Sequence, residues 1–252
     1  MISTEVISQV RNGVCAVGYL TVPLTEYVRN PRSPFFQVIG TGFLVRPTTV
    51  ITNRHVIEDI LESQASLGFP SSQLFLSFVV PDENKDLRNT LRMIRHFAAL
   101  EETAPDIGFV DFEVVHEHHF KDITPLRIAT SPDFRATEEI AVCGYPYGTA
   151  MLKRGTKVYR WGPVIQQGSI SAISPYDTSL SPDEILLDVR TAGGMSGAPI
   201  FRPSSGEVVG IHYAGWEATT ALGLPLTQSQ VAGWLAVYNK QLEATAHAEG
   251  AA

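Results

Sequence analysis

The sequence Gly-Gly-Met-Ser-Gly-Ala-Pro, residues 193–199, places a serine between glycines, and a Val-Val-Gly-Ile run follows at residues 208–211. Glycines allow the backbone to turn sharply around Ser196 and to approach a substrate closely. A serine hydroxyl is a poor nucleophile at neutral pH, so it needs a base within hydrogen-bond reach and a third group that orients the base. A reactive Ser196 therefore requires a histidine and a carboxylate from other parts of the chain.

Two other segments supply these groups. Ile-Thr-Asn-Arg-His-Val, residues 51–56, ends an apolar run with His55, and Asp-Ile-Gly-Phe-Val, residues 106–110, begins another with Asp106. Histidine, aspartate and serine follow one another in the order used by the chymotrypsin-type double barrel, whereas unrelated folds with the same triad use other orders. The intervals between the three residues leave room for most of one small barrel and then most of another.

On these motifs the chain resembles the trypsin-like peptidases, specifically their bacterial HtrA and glutamyl endopeptidase branches, over about residues 14–242. The resemblance implies an all-β fold of two six-stranded antiparallel β-barrels with a C-terminal α-helix. It implies a serine endopeptidase that hydrolyses peptide bonds through an acyl-enzyme, with Ser196 as nucleophile, His55 as base and Asp106 orienting the imidazole. Asp106 is preferred to the nearby Asp111 because its Asp-Ile-Gly-Phe-Val segment matches the pattern of the family.

The resemblance also implies an oxyanion hole formed by the backbone N–H groups of Gly194 and Ser196. Digestive members of the family carry an aspartate at the position of Met195, and this aspartate pairs with a newly cut N-terminus. A methionine cannot form that ion pair, so the sequence excludes activation by this route. Control of activity then depends on loop ordering, cellular compartment or a regulatory protein partner.

By the same resemblance, the pocket for the residue before the scissile bond is formed by Arg190, Thr191, His212, Tyr213, Ala214 and Gly215. Thr191 and His212 resemble the threonine and histidine with which staphylococcal glutamyl endopeptidase binds an acidic side chain, and hydroxyl and imidazole donors suit a carboxylate. We therefore predict cleavage after Glu, with Asp as the alternative. Arg190 reinforces this preference if it points inward, and the alternative is an exposed arginine paired with a carboxylate.

Short apolar runs separated by turn residues recur along the chain, which is typical of a β-sandwich or β-barrel. Residues 1–123 are predicted to form an N-terminal barrel that carries His55 and Asp106. Residues 124–252 are predicted to form a second barrel that carries Ser196, followed by a closing helix at about 228–243 and a frayed tail. Within the first barrel, residues 81–105 are predicted as a surface loop with one strand around 91–97.

Two segments have helical character. Apolar residues after His55 recur at helical spacing and predict a short helix there. Thr-Gln-Ser-Gln, residues 227–230, is a capping-box pattern, and apolar residues follow it at helical spacing. This second pattern predicts the start of the closing helix.

The composition of the 252 residues, with 44% hydrophobic and 18% charged residues, is typical of a globular protein. A net charge of -7 without a basic cluster argues against nucleic acid or an anionic membrane as partner, which leaves a protein or peptide substrate. The first ten residues lack the basic start, apolar block and cleavage site of a secretory signal. We therefore predict a cytoplasmic location.

No cofactor is predicted, and the candidate metal motif is weak. His-Glu-His-His, residues 116–119, would place two of its side chains on each face of a strand, fewer than the three or four ligands that a metal site needs. Cys15 and Cys143 lie in apolar segments and are predicted to be buried thiols, with a disulfide bond as the alternative. The Gly-Tyr-Pro-Tyr-Gly segment, residues 144–148, is predicted as a structural turn, and residues 151–161 as an activation loop that orders with substrate.

Two other functions are compatible with parts of this pattern. A barrel protein of this family could bind peptides as a scaffold with negligible turnover, although the presence of all three triad residues argues against it. An esterase of the α/β-hydrolase fold is excluded because that fold places the serine first in the chain, on a strand-to-helix elbow.

Overall fold

The structure is a computed structural model that describes residues 2–29, 35–81, 87–113, 123–131, 133–148, 152–154, 157–159, 162–177, 179, 181–216 and 219–250. The helices are α1 (Thr4–Gly13), α2 (Leu24–Arg29), α3 (Arg54–Leu67) and α4 (Gln228–Gly250). Strands of the N-terminal half are β1 (Val14–Leu20), β2 (Phe36–Arg46), β3 (Thr49–Thr52), β4 (Leu74–Pro81), β5 (Leu87–Ala99) and β6 (Gly108–Phe112). Strands of the C-terminal half are β7 (Glu139–Gly144), β8 (Leu152–Arg154), β9 (Lys157–Tyr159), β10 (Val164–Ser174), β11 (Glu184–Leu187), β12 (Pro199–Phe201), β13 (Val208–Trp216) and β14 (Thr220–Pro225).

The strands form two closed barrels, each with six strands. The order in the N-terminal barrel is β1-β2-β3-β6-β5-β4, and the order in the C-terminal barrel is β10-β11-β14-β13-β12-β7. All the pairs within them are antiparallel, and β8 and β9 form a separate two-stranded sheet within the predicted activation loop. The predicted fold of two six-stranded barrels followed by a helix is confirmed.

Alternation along the strands gives each barrel a core of its own and a second buried face. In β2 and β3 the paired residues Leu44 and Val50 lie in the cluster inside the N-terminal barrel. Their neighbours Phe43 and Ile51, which also pair with each other, belong to a different cluster on the opposite face. Successive side chains of a strand point to opposite faces, so strands buried on both faces are continuously apolar.

The cluster on that outer face lies between the barrels and the helices. It joins Phe43 of the N-terminal barrel to Cys143 of β7, Val10 of α1 and Tyr238 of α4. Apolar burial contributes roughly 25 cal/mol per Å², so a shared cluster of this kind favours one fixed arrangement of the two barrels. The position of Ser196 relative to His55 and Asp106 therefore depends on this cluster.

Several elements differ from the sequence prediction. Helices α1 and α2 have no counterpart in it, and α3 is longer than the predicted short helix, because its 14 residues continue to a left-handed Gly68 with φ of 68°. The strand predicted around residues 91–97 extends over all of β5, so much of the predicted surface loop is a barrel strand. Cross-strand pairing with β4 and β6 extends this strand, and the polar sequence did not indicate it.

Helix α4 begins with the predicted capping box. The Gln230 N–H donates to the Thr227 hydroxyl over 3.2 Å, and the Gln230 side chain accepts from the Thr227 N–H over 2.9 Å. The helix continues to Gly250, past the predicted end at residue 243. The predicted domain boundary at residue 124 lies between β6 and β7 and stays a prediction.

Cys15 and Cys143 are both fully buried, and neither forms a disulfide bond. Burial raises the pKa of both thiols, so they remain protonated at neutral pH. No helix in the described part of the chain has the length and apolar character needed to cross a membrane.

Candidate active site

His55 and Asp106 lie at neighbouring strand ends. His55 is the second residue of α3, the helix that follows β3, and Asp106 lies two positions before the first residue of β6. Because β3 pairs with β6, with Thr52 opposite Gly108, the chain segments that carry the two side chains lie side by side. Local strand pairing therefore brings together residues that are far apart in the sequence.

Asp106 holds His55 through both oxygens of its carboxylate. The His55 Nδ1 lies 2.6 Å from Oδ2, and the His55 backbone N–H donates to Oδ1 over 3.1 Å. The Asn53 side-chain amide donates to the backbone carbonyl of Asp106 over 2.9 Å and fixes the aspartate from the other side. A carboxylate can only accept, so Nδ1 carries a proton and Nε2 of the neutral ring is left as the acceptor.

Both members of this pair have shifted pKa values. Burial lowers the pKa of His55, but the hydrogen bond and charge of Asp106, with smaller effects of Asp59 and Glu58, outweigh burial and raise it. Burial raises the pKa of Asp106, but its hydrogen bonds and charge interaction with His55, assisted by Arg54, outweigh burial and lower it. The carboxylate is therefore ionised at neutral pH and stabilises a positive charge on the imidazole.

The loop that carries Ser196 packs against the segment that carries His55. The Thr41 N–H of β2 donates to the Ser196 carbonyl oxygen over 2.8 Å. A β-carbon on Gly197 would lie 2.5 Å from the hydroxyl oxygen of Thr52, three residues before His55. No direct hydrogen bond between the Ser196 hydroxyl and the His55 ring occurs in the described structure, and such bonds are often long in free enzymes and tighten on substrate binding.

Residues 192–195 form a tight turn just before the serine. The Met195 N–H donates to the Ala192 carbonyl oxygen over 3.1 Å, and Gly194, the third residue, has φ of 90°. This is the conformation of a type II turn, which requires a positive φ at that position. A β-carbon on Gly194 would lie 2.4 Å from the Tyr145 carbonyl oxygen, so glycine is required there for two reasons.

The turn is held by the Gly-Tyr-Pro-Tyr-Gly segment. The Tyr147 N–H donates to the Gly193 carbonyl oxygen over 2.5 Å. Tyr147 itself has φ of 53°, which is rare for a residue other than glycine. In a trans peptide the carbonyl and the following N–H point in opposite directions, so this bond directs the Gly194 N–H away from Tyr147. The segment predicted as a structural turn thus orients one of the predicted oxyanion donors.

Neither predicted oxyanion donor has a partner in the described part of the chain. The N–H groups of Met195, Gly197 and Ala198 all donate to backbone carbonyls, whereas those of Gly194 and Ser196 donate to none. Buried or partly buried N–H groups are nearly always paired in folded proteins. These two unpaired donors are therefore available to bond a substrate oxygen.

Met195 is completely buried in the core of the C-terminal barrel. Its sulfur lies 2.9 Å from where a β-carbon on Gly144 would be, so the side chain packs closely under the nucleophile loop. The buried, uncharged Met195 side chain thus anchors the loop in the core of the C-terminal barrel.

Two of the predicted pocket residues, Thr191 and His212, are buried. Thr191 is 7% exposed, and its hydroxyl oxygen lies 2.8 Å from where a β-carbon on Gly215 would be. His212 is 3% exposed, and its Nδ1 donates to the Leu222 carbonyl oxygen over 3.0 Å. Burial, opposed by this hydrogen bond and reinforced by the charge of His55, lowers the pKa of His212 to about 4. His212 is therefore uncharged at neutral pH.

The remaining predicted pocket residues have different environments. Arg190 is exposed, so the inward orientation considered for it is not observed. The Tyr213 hydroxyl donates to Glu184 of β11, a partner that the sequence did not indicate. Ala214 is partly exposed and Gly215 is exposed, as expected for the rim of a pocket.

The alternatives for the carboxylate and for a metal have different outcomes. Asp111 lies beside Tyr238 of α4, where burial and the charge of Asp111 raise the pKa of the phenol. The carboxylate that bonds His55 is that of Asp106. Residues 116–119 lie outside the described residues. Among the residues that the structure describes, no group of three or more His, Cys, Asp or Glu side chains is arranged to hold a metal ion.

Sequence reasoning missed three residues that organise the site. Asn53 fixes Asp106, Tyr147 fixes Gly193, and Thr41 contacts the nucleophile loop. Only their positions in the sequence could have indicated two of them: Asn53 lies two positions before His55, and Thr41 lies between two glycines. Their hydrogen-bond partners are distant in the chain, so no local pattern indicated a role for them.

Comparison with known proteins agrees with this geometry. A model of the trypsin-like peptidase domain family matches residues 40–211, a range that contains His55, Asp106 and Ser196. The glutamyl endopeptidase of Staphylococcus epidermidis is 24% identical over an alignment of 188 residues that covers 70% of this chain and 54% of that protein. The glutamyl endopeptidase of Staphylococcus aureus strain MRSA252 is 25% identical over 190 residues, covering 73% of this chain and 44% of that protein. The aligned part thus spans about half the length of these relatives.

Two solved structures share the fold. Rv3671c from M. tuberculosis H37Rv, in an inactive form, superposes with a TM-score of 0.55 at 16% identity, covering 93% of this chain and 90% of that one. The HtrA-type protease AlgW with a decapeptide gives a TM-score of 0.55 at 16% identity, covering 87% of this chain and 62% of that one. At this identity the similarity shows the fold alone.

Proposed function

This chain belongs to the trypsin-like peptidase family, and on that premise we propose that it is a serine endopeptidase that cleaves protein or peptide substrates. The observation that carries the proposal is the pair of unpaired N–H groups on Gly194 and Ser196, next to a histidine held by an ionised aspartate. A scaffold would not need to leave these two donors unpaired. A cytoplasmic location stays a prediction from the sequence.

The proposed reaction assigns one role to each group. Ser196 Oγ attacks the substrate carbonyl carbon while His55 Nε2 takes its proton. The tetrahedral intermediate places its negative oxygen between the N–H groups of Gly194 and Ser196. His55 then protonates the leaving amine, and the acyl-enzyme forms. Water, activated by the same imidazole, hydrolyses the ester, and Asp106 stabilises the transient imidazolium in both steps.

The nucleophile is tested with casein, a fluorogenic peptide and a fluorophosphonate probe. Wild-type protein is expected to cleave the substrates and to be labelled covalently, whereas Ser196→Ala abolishes labelling and reduces turnover by about 10⁴-fold or more, because triad members act as a unit. Thermal unfolding of both proteins controls for loss of the fold. Labelling that survives in the variant would mean that another residue is the nucleophile, and wild-type protein without turnover or labelling would favour the peptide-binding scaffold.

We further propose a preference for Glu before the scissile bond. The Thr191 hydroxyl can donate directly to a carboxylate. His212 cannot do so in its neutral form, because its single proton is on Nδ1 and is bonded to the Leu222 carbonyl. Binding of a carboxylate therefore requires a proton on Nε2, and substrate binding and protonation of His212 favour each other.

A panel of peptides that differ only in this residue tests the preference. We expect kcat/KM to be highest for Glu, and we expect the ratio of kcat/KM for Glu to that for Gln to fall as the pH rises. The ratio cancels the titration of His55, which acts equally on both peptides. Higher kcat/KM for Leu, Val or Lys than for Glu would refute the preference and leave the peptidase assignment intact.

A further inference from the structure

Thr41 is a fully buried residue of β2 whose polar groups are all hydrogen-bonded. Its N–H donates to the Ser196 carbonyl oxygen over 2.8 Å, and its carbonyl oxygen accepts from the Thr52 hydroxyl over 2.7 Å. Its hydroxyl donates to the Gly194 carbonyl oxygen over 2.7 Å and accepts from the Tyr145 N–H over 3.1 Å. One residue of the N-terminal barrel therefore bonds three backbone groups of the C-terminal half: the carbonyls of Gly194 and Ser196 and the N–H of Tyr145.

The hydroxyl of Thr41 acts on the peptide between the two oxyanion donors. The ψ angle of Gly194 sets the direction of its carbonyl group. The same angle sets the direction in which the chain continues to Met195 and Ser196. Glycine has no side chain to limit its dihedral angles, so they must be limited by contacts from outside. The bond from Thr41 provides such a contact at the Gly194 carbonyl, and the bond from Tyr147 provides another at the Gly193 carbonyl.

Thr41 also connects the oxyanion turn with the segment that carries the base. The Thr52 hydroxyl, which bonds the Thr41 carbonyl, lies three residues before His55. A β-carbon on Gly197 would lie 1.9 Å from the Thr41 carbonyl oxygen, so the nucleophile loop is pressed against this pair. A displacement of the loop away from His55 would break these contacts.

We propose that Thr41 is a positioning residue for the proposed reaction. Its hydroxyl holds the Gly194 carbonyl so that the N–H groups of Gly194 and Ser196 converge on one oxygen atom. The inference rests on the proposed function, because it concerns the same site. Thr41 acts through the Gly194 carbonyl and does not touch the reacting atoms.

The test compares three variants with wild-type protein. Thr41→Val removes the hydroxyl and keeps the shape, and we expect kcat to fall by about 10- to 100-fold with KM changed by less than about threefold, because misplaced donors weaken only the transition state. Thr41→Ser keeps the hydroxyl and is expected to stay within about threefold of wild-type kcat. Thr49→Val, the same change at a buried threonine of β3 that is 5% exposed, is the control and should leave kcat unchanged.

A second readout separates positioning from general damage to the fold. A peptide aldehyde forms a hemiacetal with the serine, and its oxygen occupies the oxyanion hole, so its affinity should fall by the same factor as kcat/KM in the Val variant. Thermal unfolding of each variant shows whether the fold is retained. If the Val variant does not fold, Thr41→Ala removes the hydroxyl without placing a methyl group against the Gly194 carbonyl and is measured in its place.

The outcomes distinguish this inference from the proposed function. A folded variant without the hydroxyl that keeps wild-type kcat and aldehyde affinity overturns the role of Thr41 and leaves the peptidase intact. A Ser variant as impaired as the Val variant also overturns it, because a side chain that keeps the hydroxyl would then fail to keep the activity. Absence of hydrolysis and labelling in wild-type protein overturns the proposed function and this inference together.

Discussion

The His55 imidazole is subject to two opposite influences, and the stronger one determines the pH at which the site can work. Burial lowers its pKa, but the hydrogen bond and charge of Asp106 raise it by more. Only the neutral imidazole can accept the proton of Ser196. Because its pKa is raised, His55 is protonated, and so lost as a base, at a higher pH than an unperturbed histidine, whose pKa is about 6.5.

The acid limb of kcat/KM should therefore have its midpoint above about pH 6.5. Asp106→Asn removes the charge that raises the pKa, so the midpoint of His55 should move to lower pH. We expect turnover in this variant to fall by about 10⁴-fold, because the imidazole is no longer held in the required tautomer. NMR titration of His55 in the Ser196→Ala background measures the pKa directly, and an unchanged pKa after Asp106→Asn would contradict the assigned pairing.

At the scale of elements, the turn of residues 192–195 is determined by its neighbours as well as by its own sequence. Met195 anchors it from below, Tyr147 bonds the Gly193 carbonyl and the Tyr145 carbonyl oxygen lies against Gly194. A type II turn needs a positive φ at its third residue, and glycine provides it without strain. The close Tyr145 contact leaves no space for any side chain.

Gly194→Ala should therefore displace the turn and reduce kcat by about 10²- to 10³-fold, the usual cost of losing one oxyanion donor. The matched control is Gly68→Ala, which also substitutes a glycine with positive φ but meets no atom within 4 Å. The control should lose about 1 kcal/mol of stability from the left-handed conformation and keep wild-type kcat. Equal kinetic effects of the two substitutions would show that strain, and not displacement of the donor, causes the loss.

At the scale of the whole molecule, the two barrels share one apolar cluster with α1 and α4. Phe43 of β2 is completely buried in this cluster, in contact with the same core as Tyr238 of α4. His55 and Asp106 belong to one barrel and Ser196 to the other, so the three residues stay together only while the barrels keep this arrangement. Stability and catalytic geometry should therefore depend on the same contacts.

Phe43→Ala should destabilise both barrels together, by about 3–5 kcal/mol for a buried aromatic ring. All three tryptophans lie in the C-terminal half, so their fluorescence during urea unfolding reports on the barrel that does not carry the substitution. We expect the fluorescence midpoint to shift with the far-UV circular dichroism midpoint in one transition. Leu24→Ala, at a residue 42% exposed, should change the free energy of unfolding by less than about 0.5 kcal/mol. Separate transitions would show that the barrels unfold independently.

The sequence predicted the elements whose information is local. Short apolar runs between turn residues indicated a β-sandwich or β-barrel, the family resemblance implied two barrels, and the capping box located the start of α4. The sequence did not indicate helix α1, and it indicated only the middle part of β5. The extent of β5 depends on pairing with β4 and β6, and the apolar residues of α1 are buried only because the barrels offer a surface for them. Propensity is weaker than such tertiary contacts.

For the site, the sequence by itself determined which chemical groups are available: a hydroxyl, an imidazole, a carboxylate and a glycine turn, each in a recognisable local pattern. Only the tertiary structure decided how they are held. The Thr41 hydroxyl and the Gly194 carbonyl are 153 positions apart, and the pairing of His212 with Leu222 depends on the register of β13 and β14. Hydrogen bonds require distances near 3 Å and defined angles, and only the packing of the two barrels sets these between distant segments.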